Sequence, residues 1–187
     1  MEPFEFLTVV ISIVIAVAMS EVLVGWGRII RFRGNVHTYW LHTGWSAVVL
    51  LIMLRYWWST WQFRAVEEWT FPLFVLILAP ALLLILIAFL LTPELSSTGE
   101  FRFREYYYEN AGWFFSLAAL YLAGTFLSNS IVRGRPPWAA ENAFRAFGII
   151  LLAAVAFSRR ELVHRLVFGA TLVLLLIFMA SVQFALG

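Results

Sequence analysis

Arg55, Glu141 and Arg145 each interrupt a long apolar run, and of all the ionisable residues in the chain their surroundings most demand a function. Glu141 and Arg145 stand four apart with the carboxylate first, which on a helix puts them on one face in the favourable order. A guanidinium is a two-pronged donor that matches phosphate and carboxylate oxygens. Two such groups near one glutamate leave positive charge over, so the chemistry expected here is an anion or lipid-phosphate site. The plainer reading is that each arginine snorkels toward headgroups and buries only its aliphatic stem.

A second group, Glu21, His42 and His164, falls near the opposite ends of the same hydrophobic runs. Two neutral imidazoles on facing helices are axial ligands for a b-type haem, which makes His42 with His164 the one metal-like arrangement on offer. They belong to no spacing motif, and polar residues ordinarily end a membrane span, so no cofactor and no metal is the primary expectation. Glu21 ends a stripe of Thr8, Ser12, Ala16 and Ser20 at spacing four, a register in which small residues admit a neighbouring helix. It reads either as a proton- or cation-responsive carboxylate or, more simply, as the partner of Arg28 or Arg165.

Absent residue types remove several chemistries. The chain has no Cys, no Lys and no Asp. That leaves no thiolate, disulfide or iron–sulfur ligand, no Schiff-base lysine and no Walker lysine. The run Gly44, Trp45, Ser46, Ala47 is similar to the nucleophile motif of rhomboid proteases, but Ala47 replaces its last glycine and the serine lies in the second apolar run. The adjacent Glu67 and Glu68 resemble the double glutamate of CAAX-type intramembrane proteases, but Pro72 stands where that pattern needs arginine. No residue is carried over from either family, and the chain is read as not an enzyme. The net charge of +2 is spread among apolar runs as scattered arginines, which excludes a nucleic-acid surface.

The elements that must position these residues are membrane helices. Of 187 residues, 63% are hydrophobic and 13% charged, against about 45–50% and about 25% in soluble domains. Hydropathy and turn residues predict six spans: 4–27, 41–63, 70–92, 111–132, 137–158 and 161–186. Each is long enough for a hydrocarbon core of roughly 30 Å at 1.5 Å per residue. The fold expected is an all-α integral membrane protein in which about six transmembrane helices form one compact bundle, a single polytopic domain over residues 1–187. The connection 94–110, where charges alternate with Phe101 and Phe103, is expected to lie along the interface. Pro80, in the middle of the third span, should bend it.

Arginines near the span ends set direction. Arg28, Arg31, Arg33, Arg102, Arg104, Arg159, Arg160 and Arg165 fall on one side, against Arg64, Arg133 and Arg135 on the other. Positive loops stay cytoplasmic, so both termini are expected outside a cell inner membrane. Tryptophans and tyrosines gather at the two corresponding levels, and anchoring explains Tyr56, Trp57, Trp58 and Trp61 without a flat ligand. The third, fourth and sixth spans carry no charge at their centres, whereas the first, second and fifth carry Glu21, Arg55, Glu141 and Arg145. An ionised group facing lipid costs at least about 2.5–3.5 kcal/mol, so the charged spans should face one another or a wet cavity. Arg55 and Arg145 each lie about 12 Å from the outer end of their span, in one layer.

These features order the functional readings. A small channel, transporter or lipid- or anion-binding protein acting as an oligomer comes first. A non-catalytic accessory subunit of a larger membrane complex comes second, and a haem-b carrier or enzyme third. The partners expected are the lipid bilayer and a second copy or another membrane protein, with Gly124 and Ser128 as small residues for close helix approach.

Overall fold

The computed structural model of the chain describes residues 2–95 and 99–181, with side chains as far as Ile177. The protein is predominantly helical. Its α-helices are α1 (Pro3–Arg31), α2 (Trp40–Ser59), α3 (Phe71–Leu91), α4 (Phe103–Val132), α5 (Ala140–Ala156) and α6 (Glu161–Ser181). A 3-10 turn, Thr60–Ala65, extends α2, and two short strands, β1 (Val36–His37) and β2 (Phe101–Arg102), pair in parallel. Three of the helices, α1, α3 and α4, are long and apolar enough to cross a membrane. The helix α5 spans 17 residues, about 25 Å. The end of the sixth expected span, 182–186, lies outside the described residues.

Local chemistry sets the helix ends. Glu2 and Glu5 form a capping box before α1, Pro3 occupies a first-turn position that needs no N–H, and Arg28 and Arg31 close the last turn against the helix dipole. Thr70 caps α3 by accepting from the Leu73 N–H at 3.4 Å. At the end of α4, Gly134 takes φ +60, a left-handed value that glycine adopts without strain, and Pro136 and Pro137 prevent continuation.

Successive connections alternate between two ends of the bundle. At one end β1 pairs with β2, in the register Val36↔Phe101 and His37↔Arg102, and Arg104 at the start of α4 meets Glu161 at the start of α6 at 2.9 Å. All eight arginines assigned to one side by sequence belong to the elements or connections of this end. At the far end the 3-10 turn and the start of α3 line one cavity with the last turn of α4, and Phe4 of α1 packs edge-on against Trp61. Within the described part of the segment 94–110, β2 occupies Phe101–Arg102 and α4 begins at Phe103.

The helices α1, α3, α4 and α5 pack in a row, while α2 and α6 touch each other and close over one side of it. The packed face of α1 is Leu7, Ile11, Ile15, Ala18, Val22 and Gly25. Leu7, Ile11, Ile15 and Val22 make this seam together with the small Ala18 and Gly25, whereas in the small-residue stripe Ala16 and Ser20 are exposed and Ser12 accepts from Trp57 Nε1 at 2.9 Å.

A further close approach, between α3 and α4, lies around Pro80. A proline withdraws the N–H that would bond the carbonyl four residues back, here Leu76. Ser128 of α4 replaces it: its Oγ lies 3.1 Å from the Leu76 carbonyl and 2.9 Å from that of Gly124. The Tyr56 hydroxyl of α2 donates to the neighbouring Ile77 carbonyl. Gly124 gives the ring its space, since a Cβ there would stand 3.1 Å from Pro80 Cγ. Gly124 and Ser128 thus serve packing inside the chain.

Candidate functional site

Helical spacing carries the site. One stripe of α2 presents Trp45, Val49, Ile52, Arg55 and Ser59 to a cavity, and one stripe of α4 presents Phe114, Ala118, Tyr121, Thr125 and Asn129 to the same space. Arg145, Gly148 and Leu152 of α5 and Thr171 of α6 complete the walls. The cavity has a volume of about 180 Å3. Since a water needs on the order of 10–15 Å3 by this measure, the space suits roughly a dozen waters. Its lining is mostly aliphatic and aromatic, with Arg55, Arg133 and Arg145 as its three cations. None of the described lining residues is acidic.

The structure therefore brings Arg55 and Arg145 to one cavity, in keeping with their shared depth in the sequence. Glu141 Oε2 stands 3.0 Å from Arg133 Nη1 and 4.0 Å from Arg145 Nη1, just behind the cavity wall. Arg133 is the member that sequence reasoning misses, having been assigned only as a topology marker. It also donates at 2.7 Å to the side-chain oxygen of Asn129, one turn earlier on α4.

Two buried asparagines hold this layer. Asn129 Nδ2 donates to Asn142 Oδ1 at 2.8 Å, and Arg145 Nη1 reaches the same oxygen at 3.3 Å. Asn142, fully buried, sends its own amide toward Pro136 O at 3.0 Å and Ser130 Oγ at 3.1 Å. The amide thereby ties the α4–α5 turn to the cluster and fixes where Arg145 starts. A signal was present in the sequence: Asn129 and Arg133 are four apart, and Asn142 adjoins Glu141.

The group Glu21, His42 and His164 is divided among separate contacts. Glu21 accepts from Thr92 Oγ1 at 2.8 Å and lies 3.8 Å from Arg28, the simpler of its two expected roles. Arg165 pairs with Glu161 instead, at 2.5 Å. His164 is fully buried, with Nε2 donating to the Ser158 carbonyl at 2.8 Å and Nδ1 2.9 Å from the Tyr107 hydroxyl. Both its nitrogens are committed within the protein, so it pins α6 to α4 and to the preceding turn. His42 packs its ring 4.5 Å from that of Phe103, and its buried Nε2 has no hydrogen-bond partner among the described residues. His42 and His164 thus make their contacts with different residues.

Tyrosines line the same end. The Tyr39 and Tyr108 hydroxyls stand 3.1 Å apart, and burial together with that neighbour pushes the Tyr39 phenol well above its ordinary range. The Glu161 carboxylate at 2.9 Å holds Arg104 above the usual guanidinium value. These groups brace the α4 and α6 starts.

A second cavity lies at the far end, lined by Gln62, Glu67, Glu68, Thr70, Leu76 and Arg133 among others. Gln62 and Arg133 line both cavities and so stand between them. Chemically, the arrangement sets three guanidinium groups, each a two-pronged hydrogen-bond donor, on one mostly apolar space. No known family, curated protein or solved structure matches the chain.

Proposed function

We propose that this chain is a polytopic membrane protein whose six helices cross the bilayer as one bundle and which binds an anion in the half of that bundle remote from its arginine-rich end. The observation that carries the reading is the placement of Arg55, Arg133 and Arg145 on one mostly apolar cavity whose described lining holds no carboxylate. Cations inside a membrane are costly unless a partner or water meets them, and guanidinium forks are the donors of choice for phosphate and carboxylate. Membrane residence is supported by the three long apolar helices and by an apolar exterior, where Phe71, Trp138 and Phe157 are among the most exposed side chains.

The arginine-rich end then faces the cytoplasm and both termini face away from it. Binding is the primary activity, and transport of the bound anion, by a homo-oligomer, is its natural extension. The test is stabilisation of the detergent-purified protein by phosphate, sulfate and phosphate-bearing lipids, followed as the shift in unfolding midpoint for wild type, Arg55→Gln and Arg145→Gln. A ligand-dependent shift that shrinks at least severalfold in both variants supports the reading. If no anion shifts the wild type, or if both variants respond as it does, the site is not an anion site. A constant foreign subunit in the purified material, without any anion response, would recast the chain as an accessory subunit.

A further inference from the structure

We infer that the ligand of the arginine cavity is a single-chain phosphate amphiphile, its headgroup on Arg55, Arg133 and Arg145 and its hydrocarbon chain lying along α2 and α4 toward Trp45. This rests on the anion site proposed above and adds the class of its ligand. Two independent features argue for a chain as well as a charge.

The first is the shape of the lining. From Arg55 the cavity continues along α2 past Ile52 and Val49 to Trp45, ten residues or about 15 Å. On α4 the matching wall runs from Tyr121 past Ala118 to Phe114, and Leu152 and Leu174 face it from α5 and α6. A dissolved inorganic anion uses none of this surface. A cavity that suits roughly a dozen waters accommodates one hydrocarbon chain and not a pair. Burial of apolar chain there adds about fourfold in affinity per methylene, until the space is filled.

The second is the charge at the polar mouth. The far-end cavity meets the arginine cavity at Gln62 and Arg133, and its walls carry Glu67 and Glu68, both exposed. An anion arriving from water through this mouth passes two carboxylates, which repel it over a Debye length of about 8 Å at physiological salt. An amphiphile in the bilayer bypasses this mouth, because it enters between helices from the hydrocarbon side and its headgroup moves inward from the interface to the arginines. The acidic mouth thus selects against free anions while the apolar extension selects for a chain.

The experiment measures apparent affinity from unfolding-midpoint shifts for inorganic phosphate and for butyl, hexyl, octyl and decyl phosphate, with alkyltrimethylammonium ions of equal length as the charge control. The proteins are wild type, Arg145→Gln, Ala118→Phe and the double variant Glu67→Gln/Glu68→Gln. Affinity is expected to climb about fourfold per added carbon and then level off. Arg145→Gln should weaken every phosphate ligand, Ala118→Phe should bring the plateau to shorter chains without changing butyl phosphate, and the double variant should strengthen inorganic phosphate severalfold.

Alkyl phosphates that bind no better than inorganic phosphate, both losing affinity in Arg145→Gln, would overturn the amphiphile and leave the anion site standing. Equal binding of the trimethylammonium series would overturn both. No binding of any ligand would do the same. Should Ala118→Phe fail to fold, the chain-length series on wild type decides the question alone.

Discussion

Replacing Glu141 by Gln should destabilise the detergent-solubilised protein by about 2 kcal/mol, between the 3–5 kcal/mol typical of breaking a buried ion pair and the 0–1 kcal/mol of an exposed one. The intermediate value follows from geometry. The Glu141, Arg133 and Arg145 side chains are 30%, 24% and 15% exposed, so water screens the trio only in part. The same carboxylate oxygen serves both guanidiniums, at 3.0 and 4.0 Å, and its loss leaves three clustered cations to repel one another. Glu100→Gln is the control: that carboxylate is 66% exposed, stands 3.9 Å from Arg102 and 3.5 Å from His37, and should cost well under about 1 kcal/mol. The assay is reversible unfolding in mixed micelles, titrating a denaturing detergent and comparing midpoints at constant slope. Phosphate added at saturating concentration should recover part of the Glu141→Gln loss, because a bound anion replaces the missing negative charge. Equal losses for Glu141→Gln and Glu100→Gln would refute the argument that this layer is a coupled, partly buried charge cluster.

The proline bend offers a thermodynamic cycle: Ser128→Ala should cost about 1–3 kcal/mol by stranding the Leu76 carbonyl, and much less in a Pro80→Ala background where the helix restores its own bond. Additive losses in the unfolding titration would show that Ser128 does not serve the bend. Gly124→Val should likewise be destabilising in wild type and relieved by Pro80→Ala, read by the same midpoints, because a Cβ at 124 stands 3.1 Å from the proline ring. The chain has no cysteine, so single cysteines map its topology directly. Replacements of Arg33, Glu100 and Arg159 should label from the cytoplasmic side with an impermeant reagent, and those of Glu68 and Arg135 from the opposite side. Labelling of all five from one side would end the six-span reading. The paired replacement Val36→Cys with Phe101→Cys should crosslink under mild oxidation, since these residues are register partners of the short sheet; absence of crosslink would place the α1–α2 and α3–α4 connections apart.

Helix existence and approximate extent were legible because they depend on local signals. Long apolar runs bounded by Arg31–Gly34, Pro93 and Gly134–Pro137 mark where the chain leaves and re-enters a bundle, and α1, α2, α3 and α5 fall within a few residues of the expected spans, whereas α4 begins at Phe103, well ahead of the expected 111. The shared depth of Arg55 and Arg145 was equally legible, being a matter of counting residues from a span end. Which face of a helix packs was less so. Thr8, Ser12, Ala16 and Ser20 satisfy a small-residue register, yet α1 buries Leu7, Ile11 and Ile15, because spacing alone does not say which of two stripes meets a neighbour. Arg133 was misread for a related reason: it follows the fourth span, as expected, and reads as a loop charge, but the tight Gly134 turn returns the chain so that Glu141 of α5 meets it at 3.0 Å. Long-range pairings such as Ser128 with Leu76 or Tyr107 with His164 join residues more than fifty positions apart, and no periodicity encodes them.

The same contacts explain why the cavity persists. Three guanidiniums beside an apolar space would ordinarily draw the helices apart to let water in, at a cost to packing. Here the opposing pull comes from uncharged groups: the Asn129–Asn142 bond at 2.8 Å clamps α4 to α5 while the same two side chains accept from Arg133 and Arg145, and Tyr107 with His164 clamps α6 to α4. The Leu76 carbonyl freed by Pro80 fastens α4 to α3 through Ser128, and the neighbouring Ile77 carbonyl fastens α2 through Tyr56. Arg133 and Arg145 are thereby held by their bonds to Asn129 and Asn142, and under the proposed reading an anion would meet oriented donors with little reorganisation of the protein. Loosening a clamp should therefore weaken anion binding without changing the charge: Asn129→Ala, which keeps all three arginines, is expected to reduce phosphate-dependent stabilisation severalfold, and unchanged stabilisation in that variant would show that charge alone, not its positioning, defines the site.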